Sequence, residues 1–496
     1  MTAASPVTHA LYGAEQVRTL DRRIIDAGVA GFDLMQRASQ AAYDVLRARW
    51  PGARRLTVLC GGGNNAGDGY VIAALAVCDG LDVQLVALRD PTCLTGDAAR
   101  ACALARRAGV TPVAWREGMT LDGEVLVDAL LGTGASGEVR DPLRSAILAI
   151  NATRRPVLAV DVPSGLSAQT GGIGSVAVHA TVTVTFIADK FGLHTGASAD
   201  HVGELVVESL GTAPETHGDL VPLGELLAAE QLQAALPPRA RGSHKGDFGH
   251  LLVVGGAVGF GGAALMACEA ALRMGSGKVS LATDAAHVAA SLVRSPEVMA
   301  RGVQEATEVQ PLLAQADALV VGPGLGRDAW GKALWRLALD AAVPSVLDAD
   351  ALNLLAEEAR DRDDWVLTPH PGEAARLLGS TTAEVQADRR AAVLALRERY
   401  GGSVVLKGAG TLIADADGVA VCPYGNPGMA SGGMGDVLSG VIGALLGQGR
   451  TPGEAARLGV LIHALAGDAA ARAGGERGLV ATDLASYVRV IANPRS

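Results

Sequence analysis

Apolar positions along the chain change period at regular intervals. From Glu15 to Ala27 and from Phe32 to Trp50 they recur at helical spacing, with Leu20, Ile24, Leu34, Ala38 and Ala42 on the apolar faces, which predicts two amphipathic helices. Short apolar runs then alternate with helical stretches. Leu56–Leu59, Val83–Leu88, Val125–Leu130, Val157–Val160, Val182–Phe186 and Leu205–Glu208 read as strands, with helices at Ala66–Cys78, Asp97–Ala108 and Leu143–Ala152. Between Gly211 and Gly224 periodicity stops in a polar, Pro- and Gly-containing stretch that reads as a linker. Alternation resumes with strands at Leu251–Val254, Val279–Ala282, Ala318–Val321, Ser345–Asp348, Val366–Leu367 and Val404–Leu406, and helices at Ala263–Met274 and Val437–Leu446. Strand–helix alternation with brief turns predicts an α/β protein: two domains, each built on a mostly parallel, doubly wound sheet. Ligands in such sheets sit beyond the carboxyl ends of the strands.

Those ends are where the chemistry-bearing residues collect. In the first half they are Gly61-Gly62-Gly63-Asn64-Asn65-Ala66-Gly67-Asp68-Gly69, Asp128 with Gly132-Thr133-Gly134, and Asp161-Val162-Pro163-Ser164-Gly165. The first is a phosphate-cradling turn by composition, although not GxGxxG with a distal ribose acid, so it matches a plain dinucleotide fingerprint poorly. Each has a plainer reading too, since Asp and Ser often cap the following helix. Three at neighbouring strand ends are much less a coincidence than one. In the second half the ends carry Gly255-Gly256-Ala257, Gly322-Pro323-Gly324, Asp348-Ala349-Asp350, His370-Pro371-Gly372-Glu373 and Lys407-Gly408-Ala409-Gly410-Thr411. Last comes Ser431-Gly432-Gly433-Met434-Gly435-Asp436 before an apolar helix: glycines and a helix N-terminus around one carboxylate. That combination suits a bound phosphate, with Asp436 placed to take a proton from an attacking hydroxyl.

Composition narrows the classes. The chain has 496 residues, 49% of them hydrophobic, and a formal net charge of -10. Nucleic acid and anionic membrane are therefore not expected partners. Six scattered cysteines without a CxxC pair point away from zinc or a disulfide framework and towards a reducing cytoplasm. Neither a signal-peptide pattern nor a membrane-spanning apolar run is read. Lysine is rare: Lys190, Lys245, Lys278, Lys332 and Lys407 are the five. Where arginine is the default cation, a lysine inside a glycine-bearing motif suggests a point charge that arginine cannot replace. Lys190 and Lys407 fit that description; Lys278 and Lys332 read as solvated surface. His194 and His201 lack metal-ligand spacing.

Taken together, Asn64-Asn65-x-Gly67-Asp68-Gly69, Asp128 with Gly132-Thr133-Gly134, Asp161-Val162-Pro163-Ser164-Gly165 and Lys190-x-Gly192-Leu193 resemble the NAD(P)HX epimerase domain, which interconverts the R and S hydrates of NADH and NADPH. The second set of motifs resembles the dehydratase domain of the same repair enzymes, a relative of ribokinase-type kinases. The resemblance implies a Rossmann-like epimerase domain over residues 1–215 and a ribokinase-like, ADP-dependent dehydratase domain over 225–496. By the same resemblance, Asn64, Asn65, Ala66, Gly67, Asp68, Gly132, Thr133, Gly134, Ala135, Ser136, Gly137 and Glu138 hold the substrate's phosphates and ribose. Asp161 and Lys190 form the acid–base pair, and Asn65, Asp128 and Ser164 bind potassium. In the second domain Ala257, Gly324, His370 and Asp436 contact the hydrated nucleotide, and Lys407, Gly408, Ala409, Gly410, Thr411 and Gly435 hold the adenine nucleotide. Magnesium is implied at the phosphates, near Glu373. Ala66 departs from the family's usual Gly, a change that a negative φ tolerates. NADHX, NADPHX and ADP are the implied small-molecule partners, and a homo-oligomer is expected because such folds often assemble through apolar helix faces. The competing reading is an ATP-dependent small-alcohol or vitamin kinase with a regulatory first domain. A third is a non-catalytic binding platform, which the retention of both Asp161 and Lys190 disfavours.

Overall fold

The computed structural model describes residues 9–134, 137–213 and 216–494, so Ala135 and Ser136 lie outside the described residues. The chain divides into two compact units that meet in sequence between Gly224 and Glu225.

The first unit is organised around a seven-stranded sheet. Its strands run in the order Val113–Ala114, Asp82–Ala87, Arg55–Cys60, Val125–Ala129, Val157–Val160, Val182–Phe186, Glu204–Glu208, and all are parallel. Four of the five inner strands, Arg55–Cys60, Val125–Ala129, Val157–Val160 and Val182–Phe186, are buried almost throughout, which is why they read as continuous Val/Leu runs rather than as alternation. Chain order reverses at Arg55–Cys60. The two strands that follow it pair outward on one side, and Val125–Ala129 crosses to the other. The carboxyl ends of Arg55–Cys60 and Val125–Ala129 flank that switch point, and they carry Gly61–Asp68 and Asp128–Gly134.

Several boundaries differ from expectation. The helix after the glycine turn runs Asn64–Cys78 rather than starting at Ala66, so Asn64 and Asn65 already belong to its first turn. Ala66 is helical, fully buried and outside the positive-φ set, so its methyl is accommodated in the core. The stretch read as a linker is held against the first unit. Arg23 donates to the carbonyls of Thr216 and His217 and pairs with Asp219 at 2.6 Å, and the rings of Tyr12 and His217 lie 5.0 Å apart. Nothing local in the sequence announces these contacts, because Arg23 is about 190 residues away.

The second unit's sheet runs Gly224–Leu226, Gly418–Cys422, Thr411–Asp415, Ser403–Leu406, Trp365–Leu367, Ser345–Leu347, Ala318–Val321, His250–Val254, Lys278–Thr283, Met299–Gly302. Pairing is parallel except across the meander Ser403–Leu406, Thr411–Asp415, Gly418–Cys422. Its switch point lies between His250–Val254 and Ala318–Val321, where Gly255–Ala257 and Gly322–Gly324 emerge. The helix Met434–Gly447 packs on this sheet and on the helix Gly261–Met274; Gly440 approaches the Ala267 backbone where a side chain would not fit. The sequence pattern missed the edge strand Met299–Gly302 and the short strand Gly224–Leu226, both only partly buried, and also the buried inner strands Thr411–Asp415 and Gly418–Cys422, which lie within a glycine-bearing stretch. No described helix is long and apolar enough to cross a membrane.

Candidate active sites

The first unit encloses a cavity of about 890 Å³ at its switch point. Asn64, Asn65, Asp68, Gly132, Thr133, Gly134 and Asp161 line it. Ala66 and Gly67 sit behind it, buried, with Gly67 against Met35. Gly137 and Glu138 are exposed and do not line it.

Asp161 follows the strand Val157–Val160 with φ +68, a left-handed conformation that a non-glycine residue adopts at a cost of about 1–3 kcal/mol. Ile187, also on the cavity wall, has φ +70. The strained turn points the Asp161 carboxylate at Lys190 Nζ, 2.9 Å from Oδ1. Thr133 N–H donates to Oδ2 at 3.3 Å. Lys190 is fully buried, and its ammonium also donates to Thr185 Oγ1 at 2.6 Å and to the Phe186 carbonyl at 3.0 Å. A buried ammonium is tolerable only when paired and hydrogen-bonded, and this one is both. Thr185 was missed by the sequence reading, yet a signal exists: Val182–Phe186 is an inner parallel strand with Thr at two buried positions.

Asp128 is fully buried beneath the same turn. It accepts from Ser164 N–H at 2.8 Å, Ser164 Oγ at 2.6 Å and Leu130 N–H at 3.2 Å, and among the described residues it has no cation partner. Burial pushes its carboxyl up to about 6 despite those three donors. Asn65 Nδ2 donates to the Leu131 carbonyl at 3.0 Å, which turns Asn65 Oδ1 the other way; that oxygen is buried and has no partner. Arg18 and Arg22 line the cavity from the helix Ala14–Asp26, and Arg18 donates to the Thr133 carbonyl at 3.0 Å. Their spacing of four places them on one helix face, which was legible; that the face meets a cavity was not.

In the second unit, four neighbouring strands place their carboxyl-end residues side by side. Ala257 N–H donates to the Gly324 carbonyl at 2.7 Å, joining the two predicted substrate contacts across the switch point. Lys407 Nζ donates to Asp348 Oδ1 at 2.7 Å and lies 3.8 Å from Glu373. Asp348 Oδ2 accepts from Ser439 Oγ at 2.7 Å. Burial alone would raise Asp348, but the Lys407 charge and donors from Lys407, Ser439 and Thr368 bring it below the usual carboxylate range. Lys407 is only partly buried, and its carboxylate neighbours outweigh the desolvation cost and raise it.

Glu373 and Asp436 behave oppositely. Each is pushed up to about 7, chiefly by burial and further by Asp348, with Lys407 opposing. One ammonium thus serves three carboxyls, and the pair nearest to it, Asp348, takes most of its charge. Asp436 lies in the first turn of the helix Met434–Gly447, not in the loop before it. Gly433 precedes that helix at φ +93, and Gly435 faces Lys407, where a Cβ would come within 3.2 Å of Nζ. His370 caps the helix Pro371–Leu378: its Nδ1 accepts from the N–H groups of Gly372 and Glu373 at 3.0 and 3.3 Å. Because Nδ1 accepts, the ring is neutral with its proton on Nε2, which lies 3.5 Å from Glu373 Oε1 on an exposed side chain. Burial, then Lys407, lowers its basicity. Arg389, buried and unmentioned by the sequence motifs, donates to the Leu406 and Lys407 carbonyls and so fixes the turn Lys407–Gly410.

Two family models match the chain: one described as NAD(P)H-hydrate dehydratase over residues 251–489, the other as YjeF-related protein N-terminus over 31–192. The bifunctional NAD(P)H-hydrate repair enzyme of Coxiella burnetii is 48% identical over 485 residues, covering 98% of this chain and 99% of that one. Its Escherichia coli counterpart is 44% identical, covering 98% and 95%. The chain belongs to the bifunctional NAD(P)H-hydrate repair enzymes. A ribokinase-like superfamily protein of Enterococcus faecalis, 29% identical with a TM-score of 0.50, covers 54% of this chain and 94% of its own. The second half of a NAD(P)H-hydrate repair enzyme therefore has the ribokinase-like fold expected from its motifs.

Proposed function

We propose that the first unit interconverts the R and S hydrates of NADH and NADPH, and that the second dehydrates the S hydrate at the expense of ADP. Membership of the repair-enzyme family supports the pair of activities. The observation that carries the mechanism is the Asp436 carboxyl: at a helix N-terminus, pushed up to about 7, beside the partly buried Lys407 ammonium. A base poised near neutrality is what deprotonation of a ring hydroxyl needs.

In the second unit, Asp436 takes the proton of the C6 hydroxyl as that oxygen attacks the terminal phosphoryl group of ADP. N–H groups of the Gly432–Gly435 turn and the Lys407 ammonium stabilise charge on the moving phosphoryl. AMP leaves. Phosphate then departs from C6 with its electron pair, assisted by the ring nitrogen, and loss of the C5 proton restores the dihydropyridine. Lys407 to Thr411 and Gly435 hold the nucleotide, and His370 Nε2, Ala257 and Gly324 meet the hydrated substrate. Magnesium bound through the phosphates, on the Glu373 side, would supply further positive charge.

In the first unit, Asp161 exchanges the hydroxyl proton while the Lys190 ammonium, 2.9 Å from Oδ1, holds its carboxylate in place. Potassium fits the residues beside it: the unpartnered Asn65 Oδ1, the Asp128 carboxylate without a cation, and Ser164 Oγ are hard oxygen donors. Bound there, it would supply positive charge towards the substrate. The exposed Arg18 and Arg22 add anion contacts at the cavity wall.

The test is recovery of reduced-ring absorbance from a mixture of epimers with ADP and magnesium. Full recovery is expected. Recovery of only the S share would remove the epimerase, and turnover of a vitamin alcohol with ATP in place of recovery would make the protein a kinase.

A further inference from the structure

Asp68 does not suit the phosphate-binding turn that it terminates. Its side chain is 9% exposed and lines the cavity together with Asp21 and Asp161, and no described cation pairs with it. A carboxylate there would repel a phosphate. Its hydrogen-bond partner is Ser39 Oγ, 3.0 Å from Oδ1. The same hydroxyl lies 2.7 Å from the Met35 carbonyl. A hydroxyl has one proton, and a carbonyl can only accept. The single Ser39 proton is shared between Met35 and Asp68, so the carboxyl receives at most one hydrogen bond. One shared donor and no described cation give little support to a buried negative charge beside two further carboxyls. The electrostatics agree: burial pushes Asp68 well above the usual carboxylate range, Ser39 opposes only in part, and Asp161 and Asp21 push it further.

We propose that Asp68 is the acid that works with Asp161 in epimerisation, a neutral carboxyl that donates its proton to the ring nitrogen of the hydrated substrate. The assignment rests on the reading of the first unit as the epimerase. The Asp161 carboxylate takes the proton of the C6 hydroxyl. The C6–N1 bond breaks as C6=O forms, its electron pair moves to N1, and Asp68 protonates N1. The open-chain aldehyde turns its other face to the nitrogen, N1 attacks C6, Asp68 recovers its proton from N1, and Asp161 returns one to the oxygen. Protons and electrons balance over the cycle, and no co-reactant is needed. Asp161 has the Lys190 ammonium 2.9 Å away, whereas Asp68 has no described cation. Two carboxyls with opposed surroundings thus take opposed roles.

Asp68→Asn keeps the size and a donor to Ser39 but has no transferable proton. Conversion of the R to the S hydrate by the full chain should lose at least about a hundredfold in kcat with KM changed only a few-fold. The wild-type infrared spectrum at neutral pH should also contain a protonated-carboxyl stretch that the variant lacks. Retained kcat, or no difference in that band, overturns the proposal. Should Asp68→Asn not fold, Asp68→Ser carries the same two readouts. A wild-type protein that does not interconvert the epimers at all would instead end the epimerase reading itself, which separates the two failures.

Discussion

At Asp436 the expected consequences follow from its surroundings. Asp436→Asn should abolish dehydration while ADP still binds, seen as lost absorbance recovery with retained nucleotide-induced thermal shift. Wild-type kcat/KM for the S hydrate should rise with pH through about 7, because the base must be ionised and Asp436 is held near that value. A profile flat from pH 5.5 to 8.5 would assign the proton acceptor elsewhere. Lys190→Ala should leave the S hydrate's dehydration untouched and slow only use of the R hydrate, by about a hundredfold or more. Equal loss for both epimers would contradict the pairing with Asp161. The sequence singled out Asp161, Lys190, Lys407 and Asp436 because their motifs are local. It did not reveal that Lys407 pairs with Asp348, 59 residues earlier, or that Arg389 holds the Lys407 turn. Such partners are set by which strands become neighbours, and a one-dimensional pattern does not contain that.

Among the elements, the strands were legible because inner parallel strands are unbroken apolar runs, and the helices because their periodicity spans several turns. The edge strand Met299–Gly302 lacked both signals, and the inner meander strands Thr411–Asp415 and Gly418–Cys422 were hidden among glycine and aspartate turns. The helix Met434–Gly447 shows what boundaries decide: started at Val437 it would leave Asp436 in a loop, whereas started at Met434 it puts the carboxyl in a helical first turn. His370 was ambiguous for a similar reason. Glu373 three residues on completes a capping box, so one ring nitrogen serves the helix and the other lies 3.5 Å from the Glu373 carboxyl. Gly433→Ala tests the helix start. A Cβ there meets Met266 Sδ at 2.8 Å on backbone at φ +93. Denaturant unfolding should show a loss of at least about 1–3 kcal/mol, and dehydration should fall while epimerisation persists.

Across the whole molecule, the sites cost stability. Glu373 and Asp436 at about 7 and Asp128 at about 6 have folded values above those of an unfolded chain. Their folded forms therefore take up protons first, so stability is gained as pH falls from about 8 towards 5 and lost as it rises through those values. His463, buried and lowered to about 4, acts in the opposite sense: its contribution is intact above the ordinary histidine value and is lost as pH falls from there to about 4. Without ligands the melting temperature should pass through a maximum on the mildly acidic side. Asp436→Asn should raise it by a few degrees at pH 8 and scarcely at pH 5. An unchanged value at pH 8 would show that Asp436 is not strained by its burial.

The complete enclosure of Lys190 reaches beyond catalysis. It is the one lysine between Ala10 and Gly224, and it has no surface. Amine-directed dyes, cross-linkers and coupling resins will therefore find no lysine on the epimerase unit and will react at Lys245, Lys278 or Lys332 of the other. Mapping contacts of the epimerase face calls for carboxyl or cysteine chemistry, and Cys78 and Cys93 stand exposed there to receive it.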